Sequence, residues 1–147
     1  MNTNDFLKAS GSLRVVVIGA NGQVKEERSF ENLVVTVGKN FVASRMVGTS
    51  VAVMSHMALG SNSTAAAAGD TTLGTELGRV ALASGTAAAN VVTYTATFPA
   101  GTATGAVVEA GIFNDPTVGT LLCHTVFSVV NKGALDAMSV TWTVTIS

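Results

Sequence analysis

The sequence predicts an all-β protein, a two-sheet β-sandwich of jelly-roll type with one short helix, and three observations carry that expectation. Two runs alternate between apolar and hydroxyl side chains. In 91–98, Val92, Tyr94, Ala96 and Phe98 oppose Thr93, Thr95 and Thr97; in 138–146, Met138, Val140, Trp142, Val144 and Ile146 oppose Ser139, Thr141, Thr143 and Thr145. A period of two marks a strand with one buried face. The last third of the chain holds three strand-like runs, 105–114, 120–130 and 138–146, joined by turn residues with no helical period between them. Pro116 fixes one backbone angle and Gly119 and Gly133 supply positive φ, so these runs form an antiparallel meander. Finally, the chain as a whole divides into about eight short strands at sandwich spacing.

In chain order, residues 13–18 form a strand apolar on both faces. Gly19-Ala20-Asn21-Gly22 then turns the chain, since Asn-Gly adopts the positive φ angles of a tight hairpin. Residues 24–30 return, with Val24, Glu26, Arg28 and Phe30 on one face and Lys25, Glu27 and Ser29 on the other. Over 38–47 the period changes: Phe41, Val42, Arg45 and Met46 recur at helical spacing and predict the one helix. Strands over 54–59 and 79–84 flank a stretch rich in Ser, Thr, Ala and Gly, 60–78, where Leu73 and Leu77 are spaced to pin a single helical turn. Residues 121–127 are apolar on both faces, which places them centrally between two layers or beneath a neighbouring subunit. The expected organisation is a polar N-terminal arm, 1–12, and a single sandwich domain, 13–147.

With 147 residues the chain can bury its apolar side chains in one core. It is 48% hydrophobic and 12% charged, against about 25% charged in an average protein. Ala, Gly and Thr fill the deficit, a composition suited to neutral, closely packed subunit contacts, so an oligomer is expected. A net charge of -1 with no basic stripe leaves no footprint for nucleic acid. Cys123 is the only cysteine, so no intrachain disulfide forms, and its apolar run makes it a small core residue. The N-terminus lacks the basic and apolar segments of a signal peptide. Arg45 and His56 interrupt the apolar run 41–60, which is too polar to span a membrane, so no membrane partner is expected.

No catalytic, cofactor-binding or metal residue is expected, and no cofactor. His56 and His124 stand far apart without ligand spacing around them. Glu109 interrupts an apolar strand; it reads as an outward-facing or salt-bridged residue, its functional alternative being a partner for Arg45 or Arg79 within the chain or across a subunit boundary. Gly19 to Gly22 lacks the Gly-Lys-Ser/Thr of a phosphate loop and is a turn. No Gly-x-Ser-x-Gly elbow anchors a hydrolase triad, so the chain reads as a non-enzyme. The tract 64–70 is a loop, either ordinary or a contact loop.

Glu109-Ala110-Gly111-Ile112-Phe113-Asn114, the run Leu121 to Phe127, Asn131-Lys132-Gly133 and a last strand with Trp142 together resemble small virion proteins of tailed bacteriophages. Asn32 to Asn40, Met57-Ala58-Leu59-Gly60 and Leu73-Gly74-Thr75-Glu76-Leu77-Gly78-Arg79 extend the resemblance over most of the chain. That group includes capsid decoration (cement) proteins and collar or fibre-attachment domains. The resemblance implies a virion structural role, assembled in the bacterial host cytoplasm. Because the chain ends directly after its last strand, the favoured expectation is a decoration protein that stabilises the head shell. It would bind the major capsid protein as a homotrimer at threefold or quasi-threefold positions, its N-terminal arm reaching a neighbour. A tail, collar or baseplate attachment protein is the alternative. A carbohydrate-binding module is the more distant one, since it needs exposed aromatic platforms and both Trp142 and Tyr94 fall on inward faces.

Overall fold

A computed structural model describes residues 7–49 and 51–147. Over the described residues the protein is all-β and sandwich-like, with one helix. In chain order the elements are β1 (Ala9–Ile18), β2 (Val24–Val34), α1 (Thr36–Met46), β3 (His56–Gly60), β4 (Glu76–Ala81), β5 (Ser84–Ala88), β6 (Val91–Phe98), β7 (Gly105–Phe113), β8 (Leu121–Lys132) and β9 (Ala137–Ile146). Among the described residues nine strands form one antiparallel sheet in the order β4-β3-β7-β8-β2-β1-β9-β6-β5.

The sheet curls into two leaves that share a core, and β2 belongs to both. Its residues up to Asn32 pair with β1, whereas Leu33 and Val34 pair with His124 and Cys123 of β8. The expected two sheets are thus two leaves of one. Alternation puts Leu13, Val15 and Val17 of β1, Phe98 of β6 and Met138, Val140 and Trp142 of β9 inward, where they meet Met57, Leu59, Val107, Ile112 and Val130 of the other leaf. At the crossing of β2 the Phe30 and Phe127 rings stack with centroids 4.4 Å apart.

Three expectations are corrected. Strand β1 starts at Ala9, not Leu13: Ala9, Ser10, Gly11 and Ser12 pair with Ile146, Thr145, Val144 and Thr143. Small polar residues join a ladder through their backbones as readily as apolar ones, so the arm expected over 1–12 ends before Ala9, and its residues 1–6 lie outside the described residues. A ninth strand, β5, was not foreseen because Ser84-Gly85-Thr86-Ala87-Ala88 has neither bulk nor apolar alternation. The helical turn expected around Leu73 and Leu77 does not form; Leu73 is buried in a loop and Leu77 belongs to β4. Helix α1 lies over β8, and Gly38 is what lets it approach, because a Cβ there would collide with the Leu122 carbonyl.

Candidate functional site

The most concentrated polar chemistry sits on the outer face of the β3-β7-β8 leaf, beneath the loop 61–75. A register shift between Val107 and Glu109 moves β7 across one position of alternation. Val107, Ala110 and Ile112 therefore face the core, while Glu109, Gly111 and Phe113 face the other way. That side is not solvent. The loop 61–75 folds over it, Leu73 packs with Val35, Ala58, Phe113 and Leu121, and Glu109 is fully buried.

Every acceptor position of Glu109 is used. Its Oε2 accepts the backbone N–H groups of Asn62 at 2.9 Å and Thr75 at 2.8 Å. Its Oε1 accepts the N–H of Gly74 at 2.8 Å and lies 2.9 Å from Nε2 of His124. On the other side of the ring, Nδ1 is 2.7 Å from Oδ2 of Asp70, which also accepts the Ala67 N–H at 2.8 Å. Asn62 in turn accepts the Thr64 N–H. Glycine at position 60 makes the approach possible, since a Cβ there would stand 2.6 Å from the Glu109 carboxylate and 2.5 Å from the Thr75 carbonyl. Asn62, Thr64, Thr72 and Asp70 line a cavity of about 360 Å³ with Glu109 and His124.

Burial by itself pushes the Glu109 carboxyl up, but the amides of Thr75, Gly74 and Asn62 and the His124 ring outweigh it and hold it below the usual carboxylate range. Asp70 follows the same pattern: the Ala67 amide and His124 overcome its desolvation and lower it. An ionised carboxylate only accepts, so a contact to it is a hydrogen bond where the ring nitrogen facing it carries an N–H.

This arrangement fastens rather than reacts. Both ring nitrogens of His124 are taken by carboxylates, and among the described residues no hydroxyl or thiol stands against them as a nucleophile would. Nor, among the described residues, does a group of three or more His, Cys, Asp and Glu side chains surround a metal position. The result is a buried ionic latch that ties the loop 61–75, at Asn62, Asp70, Gly74 and Thr75, to the strands beneath.

Glu109 pairs with neither arginine proposed for it. Arg45 donates to the Val51 carbonyl, and Arg79 binds Glu76 and the carbonyls of Asp115 and Val118 while lying 3.7 Å over the Phe113 ring. His56 stays apart from His124 and contacts Ser55 at 2.8 Å. Cys123 is fully buried, and desolvation pushes its thiol up, out of nucleophile range. Gly19 to Gly22 is a turn closed by a Gly22 N–H to Gly19 carbonyl bond, with Gly22 at φ 78°. Trp142 is buried and Tyr94 half-buried; burial first, then Cys123, pushes the Tyr94 hydroxyl up to about 12. The tract 64–70 is a loop, and Asp70 at its end reaches His124.

Lys132, which lies beyond the run expected to end at residue 130, is buried at the end of β8. Its Nζ donates to the carbonyls of Pro99 at 2.9 Å and Asp136 at 2.7 Å. The Asp136 carboxylate accepts from Lys25 Nζ and from the Gly133 N–H, both at 2.9 Å to Oδ2. The signal for Lys132 was its position two residues beyond the inward Val130. Compared with protein-family models, curated proteins and solved structures, the chain matches none of them.

Proposed function

We propose that this chain is a structural protein of a bacteriophage virion, a capsid decoration protein that binds the major capsid protein as a homotrimer and stabilises the assembled head shell. The observation that carries the reading is the outer face of the β5-β6-β9-β1 leaf. Ser84, Thr95, Thr141 and Arg14 lie side by side across four strands, and Thr86, Thr93, Thr143 and Ser12 form the next row. Ser84 with Thr95 and Ser12 with Thr143 hydrogen-bond across neighbouring strands. A broad face of short hydroxyl side chains, with a single charge in these two rows, costs less to desolvate than a charged face and offers donors and acceptors to a neighbouring protein. The latch at Glu109 supports the same reading, because its polar groups serve to hold a long loop rigid. The resemblance of 109–114 and 131–133 to virion proteins supplies the particular partner.

Adding the purified chain to head shells that lack tails tests the proposal. Binding to those shells, density repeating over the shell lattice and sedimentation as a trimer are expected. Density at the tail or collar would transfer the chain to an attachment role. A monomer that binds neither would overturn the virion reading.

A further inference from the structure

Where β2 crosses between the leaves, it leaves part of β1 without a neighbour. The last β1–β2 pair is Gly11 with Asn32, and from Leu33 onward β2 is bonded to β8. Strand β1 continues away from that point, paired with β9 as far as Ala9 and Ile146, and Lys8 exchanges two backbone hydrogen bonds of 2.7 Å with Ser147. In an antiparallel ladder successive residues aim their N–H and C=O groups to opposite sides. Lys8 aims its pair at Ser147, so Leu7 and Ala9 aim theirs at the side β2 has left. Among the described residues no strand meets them there.

Helix α1 faces this short edge with a stripe of Lys39, Val42, Ala43 and Met46, spaced as one side of a helix. Strand edge and helix stripe enclose a groove of about 990 Å³. Leu7 and Met46, 74% and 77% exposed, stand at its mouth. The charged residues of the rim are Lys8, Lys39 and Glu31, an excess of positive charge.

We propose that this groove receives an extended, acidic peptide segment of a partner chain, which adds a short strand to β1 beside Leu7 and Ala9. The backbone edge requires a backbone with free N–H and C=O groups, which a helix does not offer. Val42 and Met46 supply an apolar wall for alternate side chains of the added strand, and Lys8 and Lys39 attract its carboxylates. This inference rests on the crossing of β2 and is independent of the virion reading.

The test is selection from a library of random linear peptides on the immobilised full-length chain, with synthetic copies of the enriched peptides then titrated against variants. Enriched peptides should be rich in Asp and Glu. Their binding should fall at least about tenfold in Ala43→Trp, which fills the groove from an exposed helix position, and also in Lys39→Glu, which leaves its volume nearly unchanged. On binding, the amides of Leu7 and Ala9 should become protected from hydrogen exchange. Failure to enrich any peptide would overturn the proposal, as would peptides that bind both variants as tightly as the parent chain. If the chain alone sediments as an oligomer that Ala43→Trp takes apart, the groove belongs to a second copy, and the partner-peptide assignment is wrong.

Discussion

Two buried charges stand on the β7–β8 ladder, Glu109 on its outer face and Lys132 at the end of its inner face, and they solve the same problem unequally. Each holds irregular chain by its backbone. The carboxylate gathers the N–H groups of Asn62, Gly74 and Thr75, and the ammonium gathers the carbonyls of Pro99 and Asp136. Glu109 has three amides and an imidazole on its two oxygens, and these outweigh its burial, so its pKa is lowered. For Lys132 burial is the larger effect and the attraction of Asp136 only partly offsets it, so its pKa is lowered too. The same direction carries opposite meaning. The fold favours the charged form of Glu109 and disfavours the charged form of Lys132. A buried ion stabilises a fold when its whole hydrogen-bonding capacity is met, and a charge with two carbonyl partners falls short of that.

The largest expected effect comes from Glu109→Gln, which keeps the shape but turns an NH₂ group toward backbone N–H donors and removes the negative charge beside His124. Urea unfolding should show a loss of about 3–5 kcal/mol, the range for breaking a buried pair on one side. A loss below about 1 kcal/mol would mean that the latch does not hold the loop. Lys132→Met should cost less, about 1–2 kcal/mol, because it removes the buried charge together with its desolvation and leaves only the Asp136 carbonyl unbonded, the Pro99 carbonyl keeping the Thr102 N–H. If Lys132→Met proves the more damaging of the two, the ranking drawn from their environments is wrong.

Stability against pH sharpens the contrast. The folded pKa of Glu109 lies below its unfolded value, so its contribution is present above the ordinary carboxylate range and is lost as pH falls through the folded value. Glu109→Gln should therefore flatten the acid limb of the stability curve, and parallel limbs would remove Glu109 from it. For Lys132 the unfolded chain binds the proton more tightly, so stability should rise as pH climbs from the folded pKa toward the ordinary lysine value. Lys132→Met should abolish that rise. The smallest effect belongs to Asp70→Asn, about 1 kcal/mol, since Asp70 stands at the rim of the latch. Its clearer sign should be faster hydrogen exchange at the Ala67 amide, and unchanged exchange there would confine the latch to Glu109 and His124.

Much of the fold was legible because strand periodicity is local. The alternations in 91–98 and 138–146 place Phe98, Trp142 and Val140 inward as they stand in the core, and the turn expected at 19–22 forms, although only Gly22 and not Asn21 takes a positive φ. Helical spacing at Phe41, Val42, Arg45 and Met46 locates α1 but places its start two residues late, at Gly38 instead of Thr36. By contrast, β5 has no bulk to reveal its faces, and it is a strand because β6 lies beside it. Of the site, only the oddness of Glu109 in an apolar run could be read; its salt-bridged reading holds, with His124 as the partner, whereas within the chain neither Arg45 nor Arg79 fills that place.

What the sequence determined by itself is therefore the β class, the facing of the alternating strands, the one helix and the poverty of charge, all of which follow from backbone geometry and composition. The tertiary structure decided which buried charges meet. The shift after Val107 reverses the face of Glu109, and its amide donors come from Asn62, Gly74 and Thr75, which no local pattern connects to β7. Lys132 likewise gained its role from Pro99, across a turn and a strand. The reason is physical: a side chain's direction depends on its own strand, whereas its desolvation and its hydrogen-bond partners depend on whichever distant segments folding brings against it.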